Sequence, residues 1–333
     1  MNEYFVAWWN LENLFDKVDS TDRTDKLRRT LEKELKGWTD AILDKKIGQL
    51  SKIISKLNNG AGPDLLGVCE VENRPVVERL ANSLSNLSQH SYNVIHADTM
   101  DERGIDVAFI YDGNKFEIEK DADGKELIFS HFILKRVATR DILQVNFKLK
   151  PRGHRLVIIG NHWPSRRGGQ YESEPYRIVA GETLSYFHQR ILEVNKEEEG
   201  GKTAILVMGD FNDEPSNRSI TEYALGTTSM LKVKLSKEAP RLYNLMWPIM
   251  AQGSGTFYYD NFPNFLDQFM ISKGIISGSK IRIKDGSVKI ITFPEMVTGE
   301  YKVPINFGRP SQNNLNEQGF SDHFPIAVTI AVE

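Results

Sequence analysis

The sequence predicts an α/β (α+β) fold in which two β-sheets pack face to face with helices outside. Three observations predict it. Short apolar runs of strand type alternate with helical patterns along the chain; both halves follow a rhythm of one helix and then several strands; and no repeat of residue identity or low-complexity tract interrupts them. A chain of 333 residues exceeds the usual domain size, but β-rich sandwiches of this length form one unit, so a single domain over 1–333 is expected.

Tyr4 to Trp9 is short, apolar and aromatic, which predicts a buried strand breaking at Asn10. Thr21 to Leu57 is helical in pattern, with Leu27, Leu31 and Leu35, then Ile42, Ile47, Leu50, Ile53, Ile54 and Leu57 at helical spacing and a heavily charged first half. Pro63 leads into a strand ending at Glu70, and Pro75 to Leu87 follows as a helix with Val76, Leu80 and Leu84 on one face. Strands are expected at Tyr92–His96, Val107–Tyr111, Leu127–Leu134, Ile142–Leu149 and Leu156–Asn161. A helix over Glu174–Glu193 ends at Gly200 and Gly201. Ala204–Met208 is a buried-type strand running into Asp210, Gln268–Ile271 follows Asp267 in the same way, and Ile326–Val332 closes the chain. Between Gly274 and Gly319 lie short β-like pieces and a polar stretch, Ser311–Gln318, expected as a mobile loop.

Composition is that of a globular protein, 40% hydrophobic and 26% charged, which supplies a sizeable core and excludes disorder for most of the chain. A net charge of -3 provides no global cationic field, so a phosphate substrate has to be held by local basic groups or a metal. Cys69 is the only cysteine; it rules out an internal disulfide and reads as a buried strand residue. The amino terminus has no cationic segment followed by a long apolar run, and no window approaches the ~18 apolar residues of a spanning helix. A cytoplasmic location is expected, or a secreted one if the amino terminus has been trimmed. No protein partner is evident.

Two acid-rich turns, each next to an apolar strand, carry the chemistry: Gly209-Asp210-Phe211-Asn212-Asp213 and Gly319-Phe320-Ser321-Asp322-His323. Period-two spacing puts Asp210 and Asn212 on one side of an extended strand end, where an anion orients a water and an amide donates to a phosphoryl oxygen. His323 beside Asp322 is the sharpest local signal. An imidazole oriented by a buried carboxylate serves as acid or base, or stabilises negative charge. Asp267, flanked by Phe265 and Leu266, would be costly to bury unpaired and is the expected partner of His323.

Glu70 ends its strand where a carboxylate projects into a cleft, as Mg²⁺ requires, with Glu72 in that role if the register shifts by two. Asn10, a polar break after an aromatic strand, is placed either to brace a carboxylate or phosphate or to terminate the strand; Glu12 and Asn13 share that ambiguity. The run Asn161 to Gly169 puts His162, Ser165, Arg166, Arg167 and two glycines after a strand, a set of convergent donors suited to phosphate, against which stands a basic surface turn.

In chain order these pieces resemble the endonuclease/exonuclease/phosphatase (DNase I-like) superfamily, which includes DNases, abasic-site endonucleases, sphingomyelinases and inositol-polyphosphate 5-phosphatases. Asn10, Glu70, His162, the Gly209–Asn212 motif, Asp267 and Ser321-Asp322-His323 carry the resemblance across nearly the whole chain. It implies a four-layered αββα sandwich of two mixed sheets flanked by helices, with the site at one edge. It further implies Mg²⁺ or Mn²⁺ on Glu70, supported by Asn10 and Asp322; Asp210 activating water; Asn212 binding the phosphoryl group; and His323 paired with Asp267. His162 is implied to contact phosphate or protonate the leaving oxygen, with Asp106 orienting it. Arg140 is similar to the family's central-strand arginine, although Ile142 stands where proline is common, and Arg103 to Ala108 is like a stretch in bacterial members of unassigned substrate. The expected activity is phosphodiester hydrolysis of nuclease type, with a phosphoester substrate and nucleic acid among the candidate partners. A phosphomonoesterase, a lipid-headgroup phosphodiesterase, and an inactive binding module are the alternatives.

Overall fold

The computed structural model describes residues 1–196, 202–278 and 280–333. The amino-terminal strand, Asn2–Leu14, shows why the architecture is layered. Side chains alternate across a strand, so Tyr4, Val6 and Trp8 enter one core while Ala7, Trp9 and Leu11 enter another. Strands buried on both faces read as continuous apolar runs, and central strands of both sheets, such as Asp106–Asp112 and Ile205–Asp210, are buried in this way.

The first sheet runs Ile281–Ile283, Ile326–Val332, Asn2–Leu14, Leu65–Val71, Asp106–Asp112, Tyr92–His96, with Lys289–Ile290 also on Ile326–Val332. The second runs Gly226–Thr227, Leu242–Asn244, Asp267–Ile271, Ile205–Asp210, His154–His162, Ile142–Leu149, Phe116–Ile118, with Ile128–His131 also on Ile142–Leu149. Both are mixed. Asn2–Leu14 is antiparallel to Ile326–Val332 and parallel to Leu65–Val71, and His154–His162 is parallel to Ile205–Asp210. Between the sheets Val6, Trp8, Phe109 and Val107 meet Val145, Ile158, Met208 and Phe269. Close approach there depends on Gly67, where a Cβ would sit 2.6 Å from the Trp8 ring and 2.8 Å from the Met208 sulfur.

Helices cover the outer faces. Asp40–Ile54, capped by Thr39, lays Leu43, Ile47 and Leu50 on Ala7, Trp9 and Val68, and Arg74–Leu87, capped by Asn73, adds Val76, Leu80 and Leu84. The single helical segment expected over Thr21–Leu57 is two helices, Asp25–Leu31 and Asp40–Ile54, because the chain turns at Gly37 (φ +80°) to bury Trp38. On the second sheet, Gln170–Val194 packs Ala180, Leu184 and Ile191 on Val157, Ile159 and Val207. It starts before the expected Glu174: Arg177 ties Ser173 Oγ (2.7 Å) and the Gln170 carbonyl (2.7 Å) into a turn that precedes Pro175. Gly200 and Gly201, expected to end it, lie outside the described residues. The polar stretch expected as a mobile loop is anchored. It begins in a 3₁₀ turn, Pro310–Gln312; Asn316 donates its amide to the Phe307 carbonyl (2.7 Å), and Asn314 accepts from the Arg309 amide (2.8 Å). No helix among the described residues is long and apolar enough to cross a membrane.

Candidate active site

Three neighbouring strands of the second sheet end in register. His162 stands opposite Asp210 in the parallel pair and Asp267 opposite Asp210 in the antiparallel pair, so three titratable side chains share one row. The first sheet faces this row with Asn10, Glu70 and the Ser321–Phe324 segment. Ser321 fixes that segment, donating from Oγ to the Asn10 carbonyl (2.7 Å) and accepting the His323 amide (3.2 Å); Trp9 Nε1 holds the His323 carbonyl (2.8 Å).

Asp267 is fully buried and paired. Its Oδ2 lies 2.6 Å from His323 Nδ1, and its Oδ1 accepts from Trp8 Nε1 at 3.0 Å. Burial alone pushes the His323 imidazole down, but Asp267, with Asp322 and Asp210, outweighs it and holds the ring well above its ordinary value, as an imidazolium at neutral pH. Its Nε2 is 3.9 Å from Asp210 Oδ2. Asp210 accepts from Asn10 Nδ2 (3.1 Å) and from the Asn212 amide (2.9 Å). Burial lifts its pKa to about 6, against the pull of His323. That places a base where ionisation is nearly complete at neutral pH while basicity stays high.

His162 is the opposite case. Burial, then Arg140 and Arg103, hold it well below its usual value, so the ring is neutral; Nε2 sits 3.7 Å from Glu70 Oε1 and 3.9 Å from Asp210 Oδ2, and Nδ1 is buried without a hydrogen-bond partner among the described residues. Glu70 occupies a bulge at φ +61° and accepts the Asn13 amide at 2.9 Å. Asp322 is half-buried, and its Oδ1 has no hydrogen-bond partner among the described residues. Burial raises its pKa to about 6, with Glu70 adding to the rise and His323 and Lys46 opposing it. An orphaned carboxylate oxygen beside a second carboxylate suits a hard divalent cation, so Glu70 and Asp322 fit such an ion. Asp210, Asp267 and His323 bring ligand atoms within 4.8 Å of one another, as do Cys69, His162 and Asp210; neither trio includes Glu70 or Asp322. The first trio is an acid–imidazolium row, and the Cys69 thiol is pushed well up by burial and then Asp210, so it stays protonated and is a poor ligand.

Residues 5–332 match the Endonuclease/Exonuclease/phosphatase family. The chain belongs to that family. Its members are hydrolases of phosphoester bonds. Its fold is that of an Endonuclease/Exonuclease/phosphatase family protein from Bacteroides thetaiotaomicron (15% identity, TM-score 0.58, covering 100% of this chain and 98% of that one). The mannosyl-6-phosphatase of the same organism (15%, TM-score 0.56, 98% and 99%) and D. rerio TDP2 complexed with single strand DNA product (11%, TM-score 0.55, 100% and 100%) share it. No curated protein matches the sequence.

Several of the expected site residues have partners of their own in the structure. Glu72 is not at the site: it is buried in a bidentate pair with Arg23 (2.5 and 2.8 Å). Asp106 does not orient His162; its oxygens take Thr99 Oγ1 (2.5 Å) and lie 3.4 Å from His96 Nε2. Arg166 braces the Asp210 turn, donating to the Asn212 carbonyl (2.8 Å) and Asn264 Oδ1 (3.2 Å), so its guanidinium is spent on structure, while Arg167 is exposed. Asn10 is turned to Asp210, and its Oδ1 accepts the Glu12 amide (2.9 Å), which leaves it a bracing rather than a ligating geometry. Asn212 spends one amide hydrogen on the Trp163 carbonyl (3.0 Å). Arg140 is buried, holding that same carbonyl (2.8 Å) and Asp101 (3.3 Å).

Sequence reasoning left Arg103 without a role. Its pKa is lowered by burial, with Glu70 opposing and Arg140 adding, which sets a second guanidinium beside the site; the only signal was its place in the Arg103-Gly104-Ile105-Asp106 stretch. Arg177 was also missed. It is fully buried against Asp213 (2.8 Å) and locks the Asp210 turn to the long helix. Gly209 completes that lock, since a Cβ there would lie 2.5 Å from the Asn161 carbonyl oxygen. Gly209→Ala is expected to cost at least about 2 kcal/mol by forcing two strands apart, read as a lowered urea midpoint at unchanged m-value.

Proposed function

We propose that this chain is a divalent-metal-dependent phosphodiesterase of nuclease type. The observation that carries the reading is the Asp267–His323–Asp210 row, which sets an imidazolium and a high-pKa carboxylate 3.9 Å apart at the edge shared by both sheets. Asp210 takes a proton from the attacking water, whose oxygen bonds to phosphorus in line with the breaking P–O bond. His323 donates from Nε2 to the phosphoryl oxygen as its charge grows, and Asp267 stabilises the imidazolium throughout. Asn212, with its second amide hydrogen, orients a non-bridging oxygen, and the neutral His162 donates beside it. The leaving alkoxide takes its proton from solvent. A Mg²⁺ or Mn²⁺ on Glu70 and Asp322 supplies Lewis-acid stabilisation of phosphoryl charge.

An aromatic rim favours a nucleotide substrate. Phe257 forms a β-bridge to His323 and places its ring 4.9 Å from the imidazole. In the same hairpin Tyr259 pairs with Phe262, and both are exposed, at 68% and 73%. Side-chain alternation sets them on the Phe257 face, suited to stacking a base, which is worth about 1–3 kcal/mol.

Hydrolysis of bis(p-nitrophenyl) phosphate, DNA and RNA oligonucleotides, a hexose 6-phosphate and sphingomyelin with Mg²⁺ or Mn²⁺ tests the proposal. Oligonucleotides are the expected substrates, with affinity falling as salt rises. Preference for the hexose phosphate would sink the nuclease reading, and no turnover of any ester with either ion would sink the enzyme reading. Tyr259→Ala with Phe262→Ala is expected to raise KM for oligonucleotides about tenfold and leave bis(p-nitrophenyl) phosphate unchanged.

A further inference from the structure

Lys46 is the most deeply buried lysine beside the site, with none of its surface exposed. It rides on Asp40–Ile54, where helical spacing alone would place an apolar residue between Leu43 and Leu50. A buried ammonium is costly unless paired. Its Nζ donates to the Glu12 carbonyl oxygen at 2.5 Å and lies 5.0 Å from the centre of the Phe307 ring. The Glu12 carboxylate is engaged elsewhere, accepting the amides of Phe307 (2.8 Å) and Gly308 (3.1 Å).

The other end of that peptide group matters most. The carbonyl of Glu12 and the amide of Asn13 belong to one planar unit, and the Asn13 N–H donates to Glu70 Oε2 at 2.9 Å. The Lys46 amine therefore holds one end of the unit and the carboxylate of Glu70 the other; burial lowers the Lys46 pKa, and Glu12, Asp322 and Glu70 oppose that. Both flanking residues are left-handed, Glu12 at φ +52° and Asn13 at φ +58°. Such backbone costs non-glycine residues about 1 kcal/mol or more each and persists only where surrounding contacts over-determine it. Polarisation along a hydrogen-bonded chain also strengthens each bond in it.

We propose that Lys46 is a positioning residue for Glu70, acting through the Glu12–Asn13 peptide group: it pins the strained turn and polarises the N–H that aims Glu70. The proposal rests on Glu70 being the metal ligand, as read above. Two measurements separate it from that reading. In the metal-free protein, the Asn13 amide proton is expected to resonate downfield and to move upfield in Lys46→Met, with amides of the second sheet unchanged. In Mn²⁺ titrations followed by electron paramagnetic resonance, Lys46→Met is expected to weaken binding about tenfold or more, as loss of a supporting partner does at metal sites. Lys46→Arg, which keeps a nitrogen donor, is expected to restore part of both effects. Glu12→Gln, which keeps the carbonyl, is expected to leave the Asn13 resonance in place.

An Asn13 amide that does not move in Lys46→Met, or Mn²⁺ affinity equal to wild type, overturns the positioning role. If Glu12→Gln moves that resonance as far as Lys46→Met does, the lysine serves the Glu12 side chain and the relay is wrong. If wild type binds no Mn²⁺, or Glu70→Gln binds it equally well, the ligand reading of Glu70 fails instead, and the proposed role toward the metal falls with it.

Discussion

Asp267→Asn is expected to lower kcat by about 10³-fold or more while leaving the fold intact, since Asn keeps an oxygen for Trp8 Nε1 and loses only the charge facing His323. The pH profile identifies the cause. In wild type, kcat/KM is expected to rise through about pH 6 as Asp210 ionises, and to fall only where His323, held well above its ordinary value, gives up its proton. The two limbs belong to a coupled set, so each is a macroscopic value. Without the Asp267 anion, burial wins over the remaining carboxylates, and the alkaline limb moves to lower pH. Stability follows the same sign. A histidine whose folded pKa is raised contributes stability that is fully present below its unfolded value and is lost as pH rises through the folded one, so the variant's deficit is largest on the acid side and shrinks toward alkaline pH. Rate profiles and thermal melts between pH 5 and 9 check both. An alkaline limb that stays in place would falsify the Asp267–His323 pairing as the source of the cation.

Glu70→Gln is expected to remove most activity, about 10²-fold or more in kcat, and to abolish a stabilisation by divalent ions that wild type shows. The carboxyls around Glu70 explain the second effect. Burial raises Asp210 and Asp322 to about 6 and Glu12 to about 7, so the folded state holds more protons than the unfolded one across that range. Stability of the metal-free protein is therefore expected to fall as pH rises from about 4 to about 7. A cation that binds only the folded state offsets the loss, by about 2.7 kcal/mol at a concentration one hundred times its dissociation constant. Melts with and without Mn²⁺ at pH 5 and 7.5 measure it. Wild-type melts that Mn²⁺ leaves unchanged at pH 7.5, or an equal gain in Glu70→Gln, would rule out Glu70 as a ligand.

The central strands were legible because both of their faces are buried: Tyr4–Trp9 and Ala204–Met208 are apolar throughout, and no other element tolerates that pattern at that length. The long helix was legible but its start was not. The sequence placed it at Glu174, and the turn before it is held by Arg177, reaching Gln170 and Ser173, and by Ser173 donating to the Gly169 carbonyl. The end of the first strand was misread for a similar reason. Asn10 looks like a stop, yet the strand continues to Leu14 through two left-handed residues held by Lys46 and Glu70 from other elements.

Local sequence alone determined which side chains carry charge, which segments are buried strands, and that Asp210 and Asp267 stand at the ends of two of them. Tertiary structure decided which charges meet. Asp106 has the chemistry of a site residue but is paired elsewhere, and Arg166 spends its guanidinium bracing the Asp210 turn, while Lys46 and Arg177, silent in the sequence, and Arg103, marked only by its stretch, are packed against the site or its turn. The physical reason is that periodicity records burial, which one residue decides with its own strand or helix. Pairing among buried charges is decided by partners tens to hundreds of residues away, and only the register of the sheets brings them together.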